Sequence, residues 1–222
     1  MNEWDKIAAS FAATRRQPWE ECVEFIEEMY GMAVDIGCGN ARHLILMAPR
    51  CKFVFGLDAS FNMTKIARER LREEDIKNAE VICGDACNMP FKDASFDFAI
   101  FIAALHNIRG RENRIKALKE LRRILKPDGR ALISVWAKWQ DRWWWYFVKK
   151  FFLRDGEHGD IYIPWKRDGL NVQRFYHLYS MRELKKDVRQ AGLHIEKAWS
   201  VRKVARKHPD NHFIIVRKFR NP

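Results

Sequence analysis

The 222-residue sequence has no apolar run long enough to cross a bilayer, and its opening, MNEWDKIAASF, is too polar for a secretory signal. These absences imply a cytoplasmic chain without stable membrane association. Cysteine is scarce: Cys22, Cys38, Cys51, Cys83 and Cys87 are odd in number, scattered, and mostly inside apolar runs. Such usage suits buried thiols in a reducing compartment rather than a disulfide framework. Cys83-x-x-x-Cys87 has no second Cys/His pair at ligand spacing, so no metal is expected. Internal repeats and low-complexity linkers are missing too. Acidic residues are in short supply, 29 against 41 Lys and Arg, for a net charge of +12. The deficit is local. Residues 1–137 carry 21 basic and 20 acidic side chains, whereas residues 138–222 carry 20 and 9. A basic C-terminal third points to a polyanion, nucleic acid before an anionic membrane, unless its cations are simply solvated.

What is present alternates regularly. An amphipathic helix over Glu3–Phe11 and a second after Pro18 lead into a buried strand at Met32–Gly37. Further strands are expected at Cys51–Asp58, Ala79–Asp85, Phe96–Leu105 and from Arg130 to Ala137, with late ones at Leu193–Val201 and His212–Phe219. Helical spacing separates them, at Met63–Glu74 and at Arg111–Leu125, the latter ending before Pro127-Asp128-Gly129. Alternation of this kind gives an α/β domain with a mostly parallel sheet and right-handed crossovers. The chain reads as one domain, 1–222, with residues 1–30 forming a helical lid. The less regular, Trp-rich and basic stretch 139–174 reads as an insertion.

Asp35-Ile36-Gly37-Cys38-Gly39-Asn40 closes the first strand and opens a helix. Gly37 and Gly39 let the backbone approach a ligand at the carboxyl ends of the strands. No third glycine stands at Arg42-His43, so the loop alone is weak evidence. Position strengthens it: Asp58 ends the second strand, where a carboxylate can hold ribose hydroxyls, and Asp85 ends the third, within reach of an adenine amino group. Asp35 would repel a pyrophosphate but can bind the ammonium of a methionine moiety. Helix N-capping accounts for any one of the three singly.

In order and spacing, DIGCGN, LDAS, GDACNMPF, SFDFAIFIAALHNI and LRRILKPDGRALISVWA resemble successive motifs of class I S-adenosylmethionine-dependent methyltransferases over about residues 30–137. The resemblance implies a Rossmann-like, seven-stranded sheet in the order 3-2-1-4-5-7-6, its last strand antiparallel, with helices on both faces. It implies S-adenosylmethionine as cofactor and S-adenosylhomocysteine as product, held by Asp35, Gly37, Gly39, Asp58, Ala59, Asp85, Ala86 and Ala103.

The Asp/Asn-Pro-Pro-Tyr/Phe signature of many amino-methylating enzymes is absent; Ala103-Ala104-Leu105-His106-Asn107 stands there instead. His106 reads either as a base or as a donor to an anionic acceptor. Ala13-Thr14-Arg15-Arg16-Gln17-Pro18-Trp19, Val135-Trp136-Ala137, Ile163-Pro164-Trp165 and Arg174-Phe175-Tyr176-His177 resemble the tRNA wobble-uridine 5-carboxymethyl methyltransferases. Phe175 departs from that pattern, where a second tyrosine is usual, as does the Trp143-Trp144-Trp145 run. The implied reaction converts a carboxymethyl side chain into its methyl ester. A carboxylate with a pKa near ~4 arrives ionised and needs orientation rather than a base. By this resemblance Arg15, His106, Arg174, Tyr176 and His177 surround the acceptor, with Arg15 or Arg174 pairing its carboxylate. Arg16 reads as a phosphate contact. The resemblance also implies a heterodimer with a small zinc-binding activator protein that pairs with the edge strand around Ala79–Cys83, and tRNA as substrate.

Trp139 through Phe152 reads three ways: a stacking surface for unpaired bases, a helix in a membrane interface, or a helix packed on the catalytic domain. Lys185-Lys186, Arg202-Lys203 and Arg206-Lys207 read as phosphate-contact or solvated surface. Two rival functions stay open, a quinone or lipid methyltransferase at a membrane and a non-catalytic tRNA-binding protein.

Overall fold

A computed structural model describes residues 2–153 and 156–219, the side chains of residues 151–153 excepted. The side chains of Phe151 and Phe152, and residues 154 and 155 of the 139–174 stretch, therefore lie outside the described residues. The chain runs α1 (Glu3–Ala12), α2 (Glu20–Glu27), β1 (Met32–Ile36), α3 (Arg42–Met47), β2 (Phe53–Asp58), α4 (Phe61–Glu73), β3 (Ala79–Cys83) and β4 (Phe96–Ile102). It continues through α5 (Arg111–Ile124), β5 (Leu125–Trp136), α6 (Trp144–Leu153), β6 (Asp160–Arg167), β7 (Leu170–His177), α7 (Met181–Gln190), β8 (His194–Val201) and β9 (Asn211–Arg217). The main sheet has the order β3-β2-β1-β4-β5-β9-β8, and only β9 runs antiparallel to its neighbours. That is the expected order, with β8 and β9 as sixth and seventh strands because a separate hairpin intervenes.

Local chemistry sets the helix starts. Ser60 caps α4 by accepting from the Met63 amide, and Met63, Ala67 and Leu71 then face the sheet. Ser180 and Glu183 form a reciprocal capping box on α7. Buried clusters cover both faces of the sheet. One joins Ile124 and Leu121 of α5 and Leu184 of α7 to Ile133 and Ile214; the other joins Phe25 of α2 and Leu44 of α3 to Val54 and Ile100.

Three boundaries differ from expectation. The fourth strand stops at Ile102 rather than Leu105, because Ala103 takes a left-handed φ of 51° and a 3-10 turn follows at Leu105–Asn107. The fifth begins at Leu125, pairing with Phe96 ahead of a register shift at the Lys126–Gly129 turn. The stretch 139–174 is regular: after α6, β6 and β7 form a two-stranded antiparallel sheet of their own. Asp168 and Gly169, with φ of 51° and 72°, make its two-residue turn. An Asp-Gly pair is a short-range hairpin signal, and it was the cue in the sequence, though the apolar residues around it do not alternate regularly. A third apolar cluster, Phe147, Ile161, Ile163, Tyr176 and Leu178 with Trp4, Trp136 and Trp143 against it, seats this hairpin over one end of the main sheet.

His177 belongs to that seating, and the structure does not bring it to the acceptor region. It is buried, with Nδ1 2.7 Å from Asp160 Oδ1 and Nε2 2.8 Å from Glu183 Oε1. Beside it Arg114, completely buried, pairs with Glu157 and donates to the Tyr179 hydroxyl at 2.9 Å. Glu157, His177 and Glu183 lie close enough to hold a metal ion, but Arg114 and Lys138 already neutralise the two carboxylates. Burial works against charge on His177, yet the bonds to Asp160 and Glu183 prevail and raise its pKa above the usual imidazole value. Burial likewise disfavours ionised Glu183, but His177 and Lys138 hold it down at about 2. A raised histidine pKa contributes stability that is complete below the unfolded value of ~6.5 and is lost as pH rises through the folded value. In urea denaturation, His177→Gln should cost most at pH 6 and progressively less toward pH 9. A cost that does not change with pH would contradict the ion-pair role.

Candidate active site

β1 lies between β2 and β4, and the chain leaves the carboxyl end of β1 for one face of the sheet and that of β4 for the other. A crevice opens at such a switch point. It is a cleft of about 230 Å³. One half is walled by Gly37, Gly39, Asp58, Ala59, Met63, Asp85, Ala86 and Ala103; the other by Trp4, Phe11, Arg15, His106, Asn107, Trp136 and Tyr176.

The first half has the shape of a cradle. Gly37 has a φ of 72°, and a Cβ there would collide with that of Ala104 at 2.3 Å. Gly39, at φ 54°, has nothing within 4 Å of a would-be Cβ, so its backbone faces open cleft. Asp58 accepts from the Gly39 amide through Oδ2 and from the Ser60 amide through Oδ1, both at 2.9 Å, which ties the glycine loop to β2. Asp85 accepts from the Cys87 amide at 2.8 Å. Asp35 is a layer deeper and does not line the cleft. It is 1% exposed, both its oxygens lack hydrogen-bond partners, and burial pushes its pKa up to about 8 despite nearby Arg42. A carboxylate so stranded suits a cationic ligand. The donor set, a glycine cradle flanked by strand-end carboxylates, fits S-adenosylmethionine.

The second half is built by the hairpin and α1. Tyr176 of β7 stacks on Trp136 of β5, with centroids 4.6 Å apart and planes within 4°. Its hydroxyl accepts from Arg174 Nη1 at 2.6 Å, and burial raises its pKa to about 12, so it stays a neutral phenol. Arg174 does not line the cleft; it stands behind Tyr176, 6% exposed, with its Nε unpaired and its guanidinium 4.9 Å from the Trp165 ring centroid. Arg15 does line the cleft. Burial lowers the pKa of both arginines, and Arg174 adds like-charge repulsion at Arg15. The region is therefore short of negative charge. His106 is 1% exposed and held neutral by burial, its pKa lowered to about 3. Its Nδ1 accepts from the Trp136 amide at 3.0 Å, so the ring proton sits on Nε2. Of the two readings of this histidine, the tautomer favours donor over base.

Two contributors escaped the sequence reading. Asn40 donates to the carbonyls of Ala12 and Arg15, at 3.2 and 2.8 Å, and so fixes the segment that carries Arg15. Its cue was its place directly after Gly39. Asn107 offers a buried, unpartnered Oδ1 in the cleft wall; its place next to His106 is its only sequence signal. Arg16 is exposed, and its carbonyl accepts from Arg70.

A family model described as a methyltransferase domain matches residues 34–133. The tRNA (carboxymethyluridine(34)-5-O)-methyltransferase of Schizosaccharomyces pombe is 30% identical over 211 residues, covering 85% of this chain and 86% of that one. This chain belongs to the tRNA (carboxymethyluridine(34)-5-O)-methyltransferase family. Members from Arabidopsis thaliana and Xenopus tropicalis are 39% and 38% identical over 140 residues, 62% of this chain. The matched segment makes up 32% and 21% of their lengths, so the chain corresponds to a third or less of those larger relatives. Among solved structures, a SAM-dependent methyltransferase from Methanosarcina mazei superimposes with a TM-score of 0.75 at 21% identity, covering 91% of this chain and 99% of that one. A putative methyltransferase of Haloferax volcanii, in complex with the Trm112 methyltransferase activator, gives 0.73 at 18%, covering 99% and 97%. At these identities the structures speak for the fold.

The stranded carboxylate yields a test. An aspartate whose folded pKa is raised loses stability as pH climbs toward and through that value. Asp35→Asn should therefore gain stability over the parent as pH rises from 5 to 9, by thermal melting, while binding S-adenosylmethionine at least ~10-fold more weakly. An unchanged affinity would remove Asp35 from the cofactor site.

Proposed function

We infer that the chain transfers a methyl group from S-adenosylmethionine to the carboxylate of 5-carboxymethyluridine at the wobble position of tRNA, giving the methyl ester. The observation that carries this reading is that hydrogen bonds already engage the acceptor atoms of His106 and Tyr176 in the acceptor half, which leaves them as donors. His106 presents Nε2–H, Tyr176 presents its hydroxyl proton because its oxygen lone pair is engaged by Arg174, and Arg15 presents a guanidinium. Three donors with no available base suit an acceptor that arrives as an anion. An amine or hydroxyl acceptor would need a proton removed.

S-adenosylmethionine supplies the methyl group from its sulfonium to a carboxylate oxygen. Asp58 would hold its ribose hydroxyls, Asp85 its adenine, and the unpartnered carboxyl of Asp35, drawn into its charged form by the ligand, its ammonium, with Gly37, Gly39, Ala59, Ala86 and Ala103 allowing close approach. The remaining work is alignment: one carboxylate oxygen held by Arg15, Tyr176 and His106 leaves the other free for in-line attack. Arg174 acts as a positioning residue, through the Tyr176 hydroxyl. His177 has no part in this reading except to anchor the hairpin. In the same reading residues 1–30 form the lid of a single domain, with 139–174 as its variable insertion.

The proposal extends to partners and compartment. β3 is an edge of the main sheet, with Glu80 and Cys83 exposed, and so is open to strand addition by a small zinc-binding activator. The activator-bound Haloferax neighbour supports that arrangement. The five cysteines are all unpaired, in keeping with a cytoplasmic setting. Among the described residues no helix is long and apolar enough to cross a membrane.

Arg174→Ala should lower kcat for the modified tRNA by about 10- to 100-fold, the worth of a bond to a charged group, with affinity for S-adenosylmethionine unchanged. Because His106 and Tyr176 titrate near 3 and 12, kcat at saturating S-adenosylmethionine, where the Asp35 titration drops out, should be flat between pH 6 and 8. A rate rising with pH through that interval would mean a general base and would sink the donor-only reading.

A further inference from the structure

Three of the exposed large apolar side chains fall within eight residues: Trp139 (37% exposed), Trp145 (67%) and Tyr146 (42%). Cations interleave with them. The Arg142 guanidinium lies 4.8 Å from the Trp143 ring centroid, and Lys138 Nζ lies 5.9 Å from that of Trp139.

A second segment is tied to this one. The loop between β8 and β9 exposes Arg202, Lys203, Arg206 and Lys207. Asp141 accepts from the backbone amides of Arg206, Lys207 and His208 at 2.8, 2.9 and 3.0 Å, and contacts His208 Nδ1 at 2.8 Å. Asp210 accepts from the amides of Lys203, Val204 and Ala205. Gln140 donates to the Asp210 carbonyl at 3.1 Å. Both carboxylates are thus used on the loop's backbone, and Arg206 and Lys207 remain exposed outside.

The pair of segments borders the cleft at two points. Trp136 lines it three residues before Trp139. Lys203 Nζ, which pairs with Glu21 at 2.7 Å, lies 5.1 Å from the ring centroid of Trp19, another lining residue.

We propose that residues 139–146 and 202–208 form one docking surface for single-stranded RNA, gripping unpaired nucleotides that flank the acceptor nucleoside. Bases stack on Trp145 and Trp139, phosphates meet Arg206 and Lys207, and Asp141 is the positioning residue that holds the two segments in register. Flat π-faces alternating with cations match a single strand, whose bases and phosphates alternate likewise. A membrane surface fits less well: Phe147 of α6 is completely buried, Lys150 of that helix donates to the Asp160 carbonyl, and Arg202, Lys203, Arg206 and Lys207 are exposed on a polar loop outside the helix. The proposal rests on tRNA being the substrate. It adds where that substrate is held outside the cleft.

The test measures affinity without methyl transfer. Fluorescence anisotropy of labelled tRNA would be followed over a KCl series with the full chain, kept with any activator that co-purifies. Trp145→Ala should weaken binding about 10- to 100-fold, the usual loss for one stacked base, at an unchanged salt slope. Arg206→Ala/Lys207→Ala should reduce the slope of log affinity against log salt by about 1.5, for two lost phosphate contacts. Asp141→Ala should reduce affinity with both pairs of side chains intact. Affinity for S-adenosylmethionine should stay at the parental value in all three, and melting temperature in the first two; Asp141→Ala should also lower the melting temperature, through the freed backbone amides. Parental tRNA affinity in Trp145→Ala and in the double variant overturns the surface, and leaves the esterification reading untouched. Variant-sensitive tRNA binding without ester formation would do the reverse. Loss of binding to phosphatidylcholine–phosphatidylserine vesicles by Trp145→Ala, at parental tRNA affinity, assigns the aromatics to a membrane and also overturns it.

Discussion

The parallel stack of Tyr176 on Trp136 is the contact on which the acceptor half depends. Trp136 is the last residue of β5, and Tyr176 is the penultimate residue of β7, so one ring pair fixes the hairpin to the main sheet. The same Trp136 supplies the amide that sets the His106 tautomer, and the same Tyr176 engages Arg174. Large flat surfaces bring much of their energy from burial, and their planarity removes rotational freedom at little entropic cost. A donor set built from three elements thereby becomes one rigid unit. On the opposite face, the His177, Glu183 and Arg114 network holds the same end of β7 to α7 and α5.

α1 joins this unit to the cofactor half. Its Asp5 accepts from the Ser60 hydroxyl and the Asn62 amide at the start of α4, while its Ser10 donates to Asp168 at the hairpin turn and accepts from Trp165 Nε1. Trp4 and Phe11 of the same helix face the cleft between them. One short helix thus touches both the strand-end region built around Asp58 and the hairpin that carries Arg174. The proposed donors are dispersed over the segment after α1, the turn after β4, and β7, because an anion site above a general cofactor scaffold has to be assembled from separate elements.

The sequence made the cofactor half easy to read because that half is local. Asp35, Asp58 and Asp85 each follow an apolar run, and strand ends converge by topology once the βα alternation is seen. The sheet order came from the resemblance to class I methyltransferases, not from the alternation, which implies only a mostly parallel sheet. The acceptor half was harder because it is assembled by tertiary contacts. Asp168-Gly169 announced a hairpin, yet the irregular apolar spacing around it hid two strands that bury one face against aromatic side chains. His177 stood next to Tyr176 in the sequence, but adjacent residues on a strand point to opposite faces. That alternation turned His177 toward Asp160 and Glu183 and away from the cleft. Arg174 shares a face with Tyr176, and only tertiary packing against Trp165 sets it behind the phenol. The +12 charge was visible from composition, whereas the clamp of Asp141 on the β8–β9 loop, bridging about 65 residues, left no trace in spacing.

The most direct measurement follows label from S-adenosylmethionine into tRNA carrying 5-carboxymethyluridine, with the same tRNA carrying plain uridine as comparison, and resolves the product nucleosides by mass spectrometry. The account predicts label only on the carboxymethylated tRNA, as a methyl ester of that nucleoside that alkali releases. Label that resists alkali, or that enters the unmodified tRNA equally well, would contradict the carboxylate acceptor on which the arrangement of Arg15, His106 and Tyr176 was interpreted.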